Sequence, residues 1–237
     1  QASLAGLGIT SPTPVQQQVI PRLLACENLL FQSETGTGKT FAYLLPLINK
    51  LETLSDNQRV RIIVVAPTFE LASQINSECK SITKHKSALL IGGAPIKRQI
   101  EVLKEKPEII IGTAARLVEL IRLKKLKTDG LFAIVFDETD RLVKKEALED
   151  TSALRELLPA GCQIIACTAT INKQTKIFFA DAKNLVMPAE DVLKKRISHW
   201  AIYAETRDKI DTLRKFLHAE KPSKALIFTS RADQVEN

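Results

Sequence analysis

The chain has 237 residues, of which 45% are hydrophobic, so it can bury an extensive core and is not a disordered protein. It has no apolar run long enough to cross a bilayer and no signal peptide, and its first residue, Gln1, indicates a fragment. The four cysteines form no Cys-x-x-Cys pair and the three histidines are scattered, which argues against a zinc site or a disulfide framework and favours free thiols in a reducing compartment.

The first predicted helix follows a short proline-containing segment. Pro12 and Pro14 fix φ and prevent an earlier helix, so the helix begins near Gln16. Taken alone, a glutamine at a helix start is most often a surface residue.

A glycine-rich loop, residues 33–40, lies between an apolar run at 29–31 and a helical stretch at 41–54. Strand, tight loop and helix in this order are typical of a phosphate cradle, because glycines let backbone N–H groups point at phosphate oxygens and the helix N-terminus adds partial positive charge. We expect Lys39 to contact the β- and γ-phosphates and Thr40 to bind Mg²⁺. The general pattern begins with Gly where this chain has Ser33, and an ordinary turn before a helix is the alternative. The candidate nucleotide-binding residues of the loop are Ser33, Glu34, Thr35, Gly36, Thr37, Gly38, Lys39 and Thr40.

Apolar runs then alternate with helical stretches. Predicted strands are 29–31, 61–66, 88–91, 109–111, 131–136 and 163–167, and predicted helices between them are 41–54, 70–80, 96–105 and 114–123. Continuous apolar strands separated by helices predict an α/β fold with a parallel sheet covered by helices on both faces. Ligands bind beyond the carboxyl ends of such strands, so we expect the clusters that follow the strands to share one edge. These clusters are Pro67-Thr68, Gly92-Gly93, Gly112-Thr113, Asp137-Glu138 and Thr168-Ala169-Thr170.

Two carboxylates follow the strand at 131–136. Asp137 can hold Mg²⁺, directly or through water, and Glu138 can orient and deprotonate an attacking water. The alternative for Asp137 is a turn or a helix N-cap, and the alternative for Thr168 and Thr170 is that they are only helix caps.

The last part of the chain is predicted to begin a second domain. Residues 189–197 are predicted to be a linker, followed by a strand at 199–203, a helix at 208–217 and a strand at 225–229. We therefore expect one domain at 1–188 and an incomplete one at 198–237, because two strands and a helix cannot bury a core.

The positive charge is concentrated in one segment. From Lys80 to Lys127 the chain has twelve Lys and Arg residues against four Glu, a balance of +8, whereas its total charge is +7. Charge alone leaves two interpretations open, solvated helix faces or a nucleic-acid surface.

Taken together, the motifs resemble those of the DEAD-box ATP-dependent RNA helicases of superfamily two, in the family's order and over essentially the whole sequence. Residues 12–16 are similar to the Q motif, 33–40 to motif I (whose family form also lacks the leading Gly), 67–72 to motif Ia, 92–93 to the GG element, 113–116 to motif Ib and 226–229 to motif IV. Residues 137–140 stand where the family has Asp-Glu-Ala-Asp, and 168–170 where it has Ser-Ala-Thr.

The resemblance implies a RecA-like first domain, the start of a second RecA-like domain, and ATP and Mg²⁺ as cofactors. It implies that Thr13 and Gln16 join the loop in binding nucleotide, with Gln16 at the adenine edge, and that Lys39, Asp137 and Glu138 are catalytic. Implied RNA contacts are Pro67, Thr68, Glu70, Gly92, Gly93, Thr113 and Arg116. Asp140, Thr168 and Thr170 are implied to couple the nucleotide and RNA sites.

Two departures from the family fall in the part that grips RNA phosphates. Phe69 replaces the usual Arg of motif Ia, and Ala114-Ala115 replace the Pro-Gly of motif Ib. The lost cation should weaken RNA binding unless the phenyl ring stacks or packs instead. The arginine fingers of motifs V and VI lie outside this chain, so we expect the chain alone to bind nucleotide and hydrolyse it weakly.

The sequence therefore predicts an ATP-dependent RNA helicase that remodels RNA duplexes, acting as a cytoplasmic monomer without membrane contact. Because the GG and Ib elements lie within residues 80–127, the charge of that segment is then interpreted as an RNA-binding surface rather than as solvated helix faces. Two alternatives stay open: a DNA helicase or other P-loop NTPase, and an ATP-gated RNA- or protein-binding adaptor without unwinding activity.

Overall fold

The structure is a computed structural model that describes residues 6, 9–54, 59–188, 198 and 200–228. The chain divides into two compact units, Gln1–Glu190 and Asp191–Asn237. Within the described ranges, every helix is too short or too polar to cross a membrane.

The first unit is built on a seven-stranded sheet in which every strand pair is parallel. The strands are β1 (Leu29–Gln32), β2 (Ile62–Val65), β3 (Ser87–Leu90), β4 (Ile109–Gly112), β5 (Ala133–Phe136), β6 (Gln163–Thr168) and β7 (Lys183–Val186). Their order across the sheet is β3-β4-β2-β5-β6-β1-β7. The predicted parallel α/β sheet is thus confirmed. Strand β7 was not predicted, because its sequence, Lys-Asn-Leu-Val, is half polar and lies at the sheet margin.

Helices connect the strands. The predicted helices are present as α1 (Pro14–Leu24), α2 (Lys39–Glu52), α3 (Phe69–Ile82), α4 (Ile96–Lys104) and α5 (Ala114–Arg122). Three further helices, α6 (Thr139–Leu142), α7 (Lys145–Glu156) and α8 (Lys173–Phe178), were missed. They are short or polar, and α7 buries only Thr151 and Leu154, so the apolar periodicity that marks a helix is weak there.

The sheet separates two apolar cores, one on each face. In β2, Ile62 and Val64 belong to one core, while Ile63 and Val65 belong to the other. All four side chains are fully buried. Burying each contributes roughly 1.5–3 kcal/mol, which explains why the central strands are continuously apolar rather than alternating.

Parallel pairing gives the sheet two chemically different edges. We call the edge formed by the carboxyl ends of the strands, with the loops that follow them, the carboxyl edge, and the opposite edge the amino edge. The loops that begin at Ser33, Ala66, Ile91, Thr113, Asp137 and Ala169 all lie at the carboxyl edge. The predicted gathering of motifs at one edge follows directly from this topology.

The second unit contains the predicted helix, as α9 (Lys209–Glu220) preceded by a short 3₁₀ helix, Thr206–Asp208. The predicted strands at 199–203 and 225–229 are wrong for the residues that the structure describes, 200–203 and 225–228. A strand needs a hydrogen-bonded neighbour, and these two segments do not pair with each other there. Residues 189–197, His199 and Thr229 lie outside the described residues, and a second RecA-like domain stays a prediction.

Gly112 offers a test of the tight fit between β4 and β3. A Cβ atom at Gly112 would lie 2.2 Å from the backbone oxygen of Leu90, whereas a Cβ at Gly92 would meet nothing within 4 Å. We expect Gly112→Ala to lower the free energy of unfolding by about 2 kcal/mol, since neighbouring backbone must shift. Urea unfolding followed by circular dichroism would measure this, with Gly92→Ala as the matched control. Equal stability of the two variants would contradict the prediction.

Candidate active site at the carboxyl edge

Hydrogen bonds within the glycine-rich loop fix its conformation. Gly36 and Gly38 have φ angles of 78° and 90°, which side chains rarely adopt, and Gly38 is the N-cap of α2. The Ser33 and Thr37 hydroxyl oxygens lie 2.7 Å apart, and Thr37 donates a 2.8 Å hydrogen bond to the Glu34 carbonyl. The loop is therefore shaped before any ligand binds.

Lys39, the first residue of α2, points back into this loop. Its ammonium group donates hydrogen bonds to the carbonyl oxygens of Ser33, at 2.9 Å, and Glu34, at 2.8 Å. Burial raises the pKa of the Asp137 carboxyl group, and the positive charge of Lys39 opposes part of that rise. The lysine thus lies between the loop and the carboxylates that follow β5.

Gln16 joins the first helix to the loop. Its side-chain oxygen accepts the Thr13 N–H at 3.0 Å, and its amide nitrogen donates to the Gly38 carbonyl at 3.1 Å. Gln16 is 3% exposed, so it is not an ordinary surface residue. A Cβ atom at Gly38 would lie only 2.6 Å from the Gln16 amide nitrogen, so this contact requires glycine. The Thr13 hydroxyl is buried beside it and has no hydrogen-bond partner among the residues that the structure describes.

Asp137 is a buried carboxylate with a donor on each oxygen. The Tyr43 hydroxyl donates to Oδ2 at 2.9 Å, while the Cys167 thiol and the Glu138 N–H donate to Oδ1 at 3.0 and 2.8 Å. Burial raises the pKa of Asp137, and the hydrogen bonds from Cys167 and Tyr43 lower it. Burial also raises the pKa of Tyr43 and of Cys167 well above their usual values, so both stay protonated and act as donors.

Sequence reasoning missed both of these donors. Tyr43 lies one helical turn after Lys39 in α2, a spacing that puts both residues on the same helix face. Phe136 is paired with Ala166, so the residues after them, Asp137 and Cys167, are neighbours at the strand ends. The two donors can be recognised only when the register of β5 and β6 and the contact of α2 with Asp137 are known.

Glu138 has a strained backbone. Its φ and ψ angles are 48° and 52°, in the left-handed region that costs a non-glycine residue about 1–2 kcal/mol. Its carboxylate pairs with Arg141 at 2.9 Å and is partly exposed. Strain of this kind clusters at functional sites, because it persists only where the surroundings impose it.

Hydrogen bonds join the segments after β5 and β6 to the loop. The Thr168 hydroxyl donates to Asp140 at 2.9 Å, and the Thr170 N–H donates to the same hydroxyl at 3.2 Å. The Ser33 N–H in turn donates to the Thr168 carbonyl at 3.1 Å. Thr168 therefore contacts both the acidic segment and the glycine-rich loop, which is more than a helix cap requires.

These segments enclose one cavity of about 590 Å³. Its lining includes Thr35, Gly36, Gly38, Lys39, Thr40, Asp137, Glu138, Asp140, Arg141 and Ala169. The structure thus brings the glycine-rich loop together with the acidic segment and the Thr-Ala-Thr segment.

The predicted RNA contacts lie at the same edge, around β2, β4 and β3. Thr68 caps α3 by accepting the Leu71 N–H at 3.3 Å, with Pro67 before it and Glu70 in the first turn. The Gly92 N–H donates to the Thr113 hydroxyl at 3.4 Å, and Gly93 has a positive φ. Most of this group is accessible from solvent.

The largely buried Arg116 side chain stabilises the loop that contains Gly92 and Gly93. Its side chain is only 11% exposed, donates to the Ala94 carbonyl at 3.1 Å and pairs with Glu119 at 2.8 Å. Gln99, a buried residue that was not predicted, bonds the N–H and the carbonyl of Ile91 on the same loop.

The residues that depart from the expected motifs have clear positions. Phe69 is 49% exposed and does not belong to either core, so its ring is available at the edge. Ala114 is buried and Ala115 is exposed.

Most of the charge of residues 80–127 lies at the amino edge, away from the GG and Ib elements, and its role in RNA binding stays a prediction. Only Lys97, Arg98 and Arg116 are in the first turns of helices, next to the carboxyl edge. The other nine cations follow the last turns of α3, α4 and α5 or lie within them, at the amino edge. Counting charges along the sequence cannot show at which edge of the sheet each cation lies, because each helix runs from one edge to the other.

The sequence is similar to those of known proteins of one family. The family model of the DEAD/DEAH box helicases matches residues 13–178. The DEAD-box ATP-dependent RNA helicase CshC of Bacillus cereus is 37% identical over 217 residues, which cover 89% of this chain and 55% of that protein. CshB of Listeria monocytogenes, also a DEAD-box ATP-dependent RNA helicase, is 34% identical over 245 residues, which cover 98% of this chain and 55% of CshB. The chain spans about half the length of the curated relatives it matches.

A solved structure agrees with the fold. The crystal structure of a DEAD box protein from the hyperthermophile Methanococcus jannaschii has a TM-score of 0.73 and 25% identity, covering 91% of this chain and 60% of that chain. The parallel sheet, the cavity at its carboxyl edge and the family match over most of the first unit together show that this chain belongs to the DEAD/DEAH box helicase family.

Proposed function

We propose that the protein is an ATP-dependent RNA helicase, an RNA-dependent ATPase that locally remodels RNA duplexes. The observation that carries this proposal is the single cavity formed by the glycine-rich loop, Asp137-Glu138 and the Thr-Ala-Thr segment. The names of the relatives support the reaction and the substrate class.

We also propose that the protein is cytoplasmic, since its four cysteines are free thiols, three of them buried. We propose that it acts as a monomer.

The residues present fit ATP and Mg²⁺. Loop N–H groups and Lys39 would bind the phosphates, since the ammonium group needs only to exchange two carbonyl partners for phosphate oxygens. Thr40 and Asp137 would hold Mg²⁺, an ion that takes few protein oxygens and keeps waters and phosphate ligands. Held by Thr40 and Asp137, the ion would supply positive charge against the negative charge that develops during phosphoryl transfer.

Glu138 is the proposed base. Its carboxylate borders the cavity and its partial exposure lets it reach a water there. Arg141 donates a 2.9 Å hydrogen bond to the carboxylate and orients it, so that it can position the attacking water and accept its proton. The strained backbone fixes where the side chain leaves the strand.

Gln16 has capacity left to bind adenine. An amide side chain offers two N–H groups and two lone pairs, and Gln16 uses one of each within the protein. The remaining N–H and lone pair suit the adenine edge, which presents both an acceptor and a donor.

RNA would bind across the loops around β2, β4 and β3. Phosphate and sugar contacts from backbone N–H groups and from Thr68 and Thr113 carry no sequence information, which suits a general remodeller. Arg116 acts mainly by holding the glycine pair, because its Nη1 and Nε groups are engaged within the protein. We propose that Phe69 replaces the family's cation by stacking on a base.

One observation favours the second candidate, an ATP-gated adaptor without unwinding activity. Arg116 is engaged internally and position 69 has no cation, so of the three cations of residues 80–127 next to this edge only Lys97 and Arg98 stay exposed. A strand-displacement assay with the full-length protein separates the two candidates. Comparing RNA with DNA as activator of ATP hydrolysis tests the alternative of a DNA helicase.

Removing the proposed base should abolish turnover and spare binding. We expect Glu138→Gln to lower RNA-stimulated ATP hydrolysis by about 100-fold or more, since general base catalysis contributes 10²–10⁴-fold. Binding of a fluorescent ATP analogue should change less than about threefold, because phosphate contacts remain. Glu146→Gln, on the exposed start of α7, is the matched control. Turnover above a tenth of wild type in Glu138→Gln would contradict the role.

The donors to Asp137 should set its affinity for Mg²⁺. Tyr43→Phe keeps the ring and removes the O–H that bonds Oδ2. We expect the Mg²⁺ concentration needed for half-maximal binding of an ATP analogue to rise about 10-fold, the lower end of effects seen when partners of metal ligands are removed. Phe136→Leu, which changes a buried ring without touching the carboxylate, controls for lost packing. An unchanged Mg²⁺ requirement in Tyr43→Phe would show that this bond serves stability alone.

Phe69 can be tested by its chemistry. If the ring stacks on a base, Phe69→Ala should weaken RNA binding by about 5- to 100-fold without changing the salt dependence, because stacking contributes about 1–3 kcal/mol and releases no counterion. Phe69→Arg should steepen the salt dependence by about 0.7 in the slope of log K against log salt. Fluorescence anisotropy with labelled oligouridine measures both. Wild-type affinity in Phe69→Ala would exclude stacking.

A further inference from the structure

A continuous basic surface lies at the amino edge, remote from the cavity described above. It is formed by three connections, residues 80–86, 104–108 and 122–129, which lead from the ends of α3, α4 and α5 into the next strands. A four-residue strand spans about 13 Å, so a whole strand length and its loops separate this surface from the carboxyl edge. We call it the amino-edge surface.

The amino-edge surface carries nearly all the excess charge of the chain. The first connection contributes Lys80, Lys84 and Lys86, and the second contributes Lys104 and Lys106. The third contributes Arg122, Lys124, Lys125 and Lys127. All nine side chains are exposed, against three carboxylates in the same connections, Glu105, Glu108 and Asp129.

Two grooves run through this surface and meet at Lys106. One, of about 860 Å³, is lined by the first two connections, and the other, of about 630 Å³, by the second and third together with Arg59. The grooves extend beneath β3, β4, β2 and β5, which are neighbours in the sheet and span roughly 14 Å from first to last. A single elongated partner could therefore contact both.

Two of the carboxylates on this surface are already engaged. Glu108 is bonded by the His85 ring at 3.0 Å and by the Lys86 N–H at 3.1 Å. Asp129 lies 3.7 Å from Arg59. Over the ranges that the structure describes, Lys84, Lys125 and Lys127 have no carboxylate within ion-pair distance. Their charge is therefore available to a partner.

Helix dipoles do not account for so many cations. A lysine in the last turn compensates the negative end of a helix, and one such residue per helix would suffice. Beyond the end of α5, three more lysines follow within five residues. Lys106 and Lys124 also have φ angles of 55° and 56°, at positions after a helix end where glycine is favoured. Lysine thus occupies two positions whose left-handed backbone conformation favours glycine.

We propose that the amino-edge surface binds the phosphate backbone of RNA as a second, ATP-independent contact; this inference rests on the proposed RNA-directed function. Flexible lysines without directional partners suit a repeating array of phosphates. A protein-binding site would need an apolar centre, but within the described part of this surface Leu123 is the one exposed large hydrophobic side chain. RNA held here raises the local concentration of substrate at the carboxyl edge.

The test compares two triple variants of the full-length protein. Lys84→Gln, Lys125→Gln and Lys127→Gln together remove three charges from both grooves, whereas Lys145→Gln, Lys173→Gln and Lys176→Gln remove three exposed charges from α7 and α8. Fluorescence anisotropy with a labelled 20-nucleotide oligouridine, without nucleotide and over a range of KCl concentrations, gives affinity and salt slope. Urea unfolding checks that both variants are folded.

We expect the amino-edge variant to bind RNA about 10-fold more weakly and to lose about 2 from its salt slope, because three phosphate contacts each contribute about 0.7. The α7–α8 variant should stay within about twofold of wild type, since unspecific charge effects alone are small at physiological salt. Wild-type affinity and slope in the amino-edge variant would overturn the proposal and favour an acidic protein as the partner. Equal losses in both variants would also overturn it.

A second measurement keeps this inference separate from the proposed function. At saturating RNA, the amino-edge variant should show wild-type RNA-stimulated ATP hydrolysis, because its catalytic cavity is intact. If wild type itself shows no RNA stimulation, the proposed function fails. If wild type is stimulated and the amino-edge variant binds RNA unchanged, only the amino-edge surface is wrong.

Discussion

The parallel direction of the strands is the constraint on which the rest of the molecule depends. Each helix must return the chain to the starting edge, so every strand ends at the same side and each helix that follows begins there. The carboxyl edge thereby collects helix N-termini, with their partial positive charge, and the amino edge collects C-termini. A phosphate site at one edge and lysines at the other are both compatible with this polarity. The topology thus supplies two separate surfaces from one sheet.

At the carboxyl edge the decisive energetic problem is the burial of Asp137. A carboxylate away from water is costly unless its oxygens accept hydrogen bonds, and here Tyr43, Cys167 and the Glu138 N–H supply them from two strand ends and one helix. None of the three donors is charged, so none of them forms an ion pair with the carboxylate. The same strand end forces Glu138 into a left-handed conformation. Burial and strain are therefore tolerated at the place where the proposed chemistry needs fixed groups.

The sequence predicted the sheet, most helices of the first unit and the position of the loop, because continuous apolar runs and glycine spacing are local signals. It did not predict Tyr43, Cys167 or Gln99, whose importance comes from contacts between distant segments. Gln16 was predicted through a motif, but its bond to Gly38 is a tertiary contact that no local pattern shows. The strands expected at 199–203 and 225–229 failed where they are described, since apolar residues alone do not supply a pairing neighbour. The sequence also did not show that most of the charge of residues 80–127 lies at the amino edge, because the chain passes from one edge of the sheet to the other within each helix and strand.

The hydrogen bond between Gln16 and the Gly38 carbonyl joins the residue proposed to bind adenine to the loop proposed to bind phosphates. Gly38 precedes Lys39, so any movement of the loop around a phosphate displaces the partner of the Gln16 amide. Thermodynamic reciprocity then requires that, if phosphates alter the affinity of Gln16 for a base, the base alters the affinity of the loop for phosphates by the same factor. A nucleotide with the wrong base would accordingly lose more than its base contacts, because it would also leave the loop less well prepared. In this proposal, the hydrogen bond between Gln16 and Gly38 makes the choice of base and the ordering of the phosphate loop depend on each other.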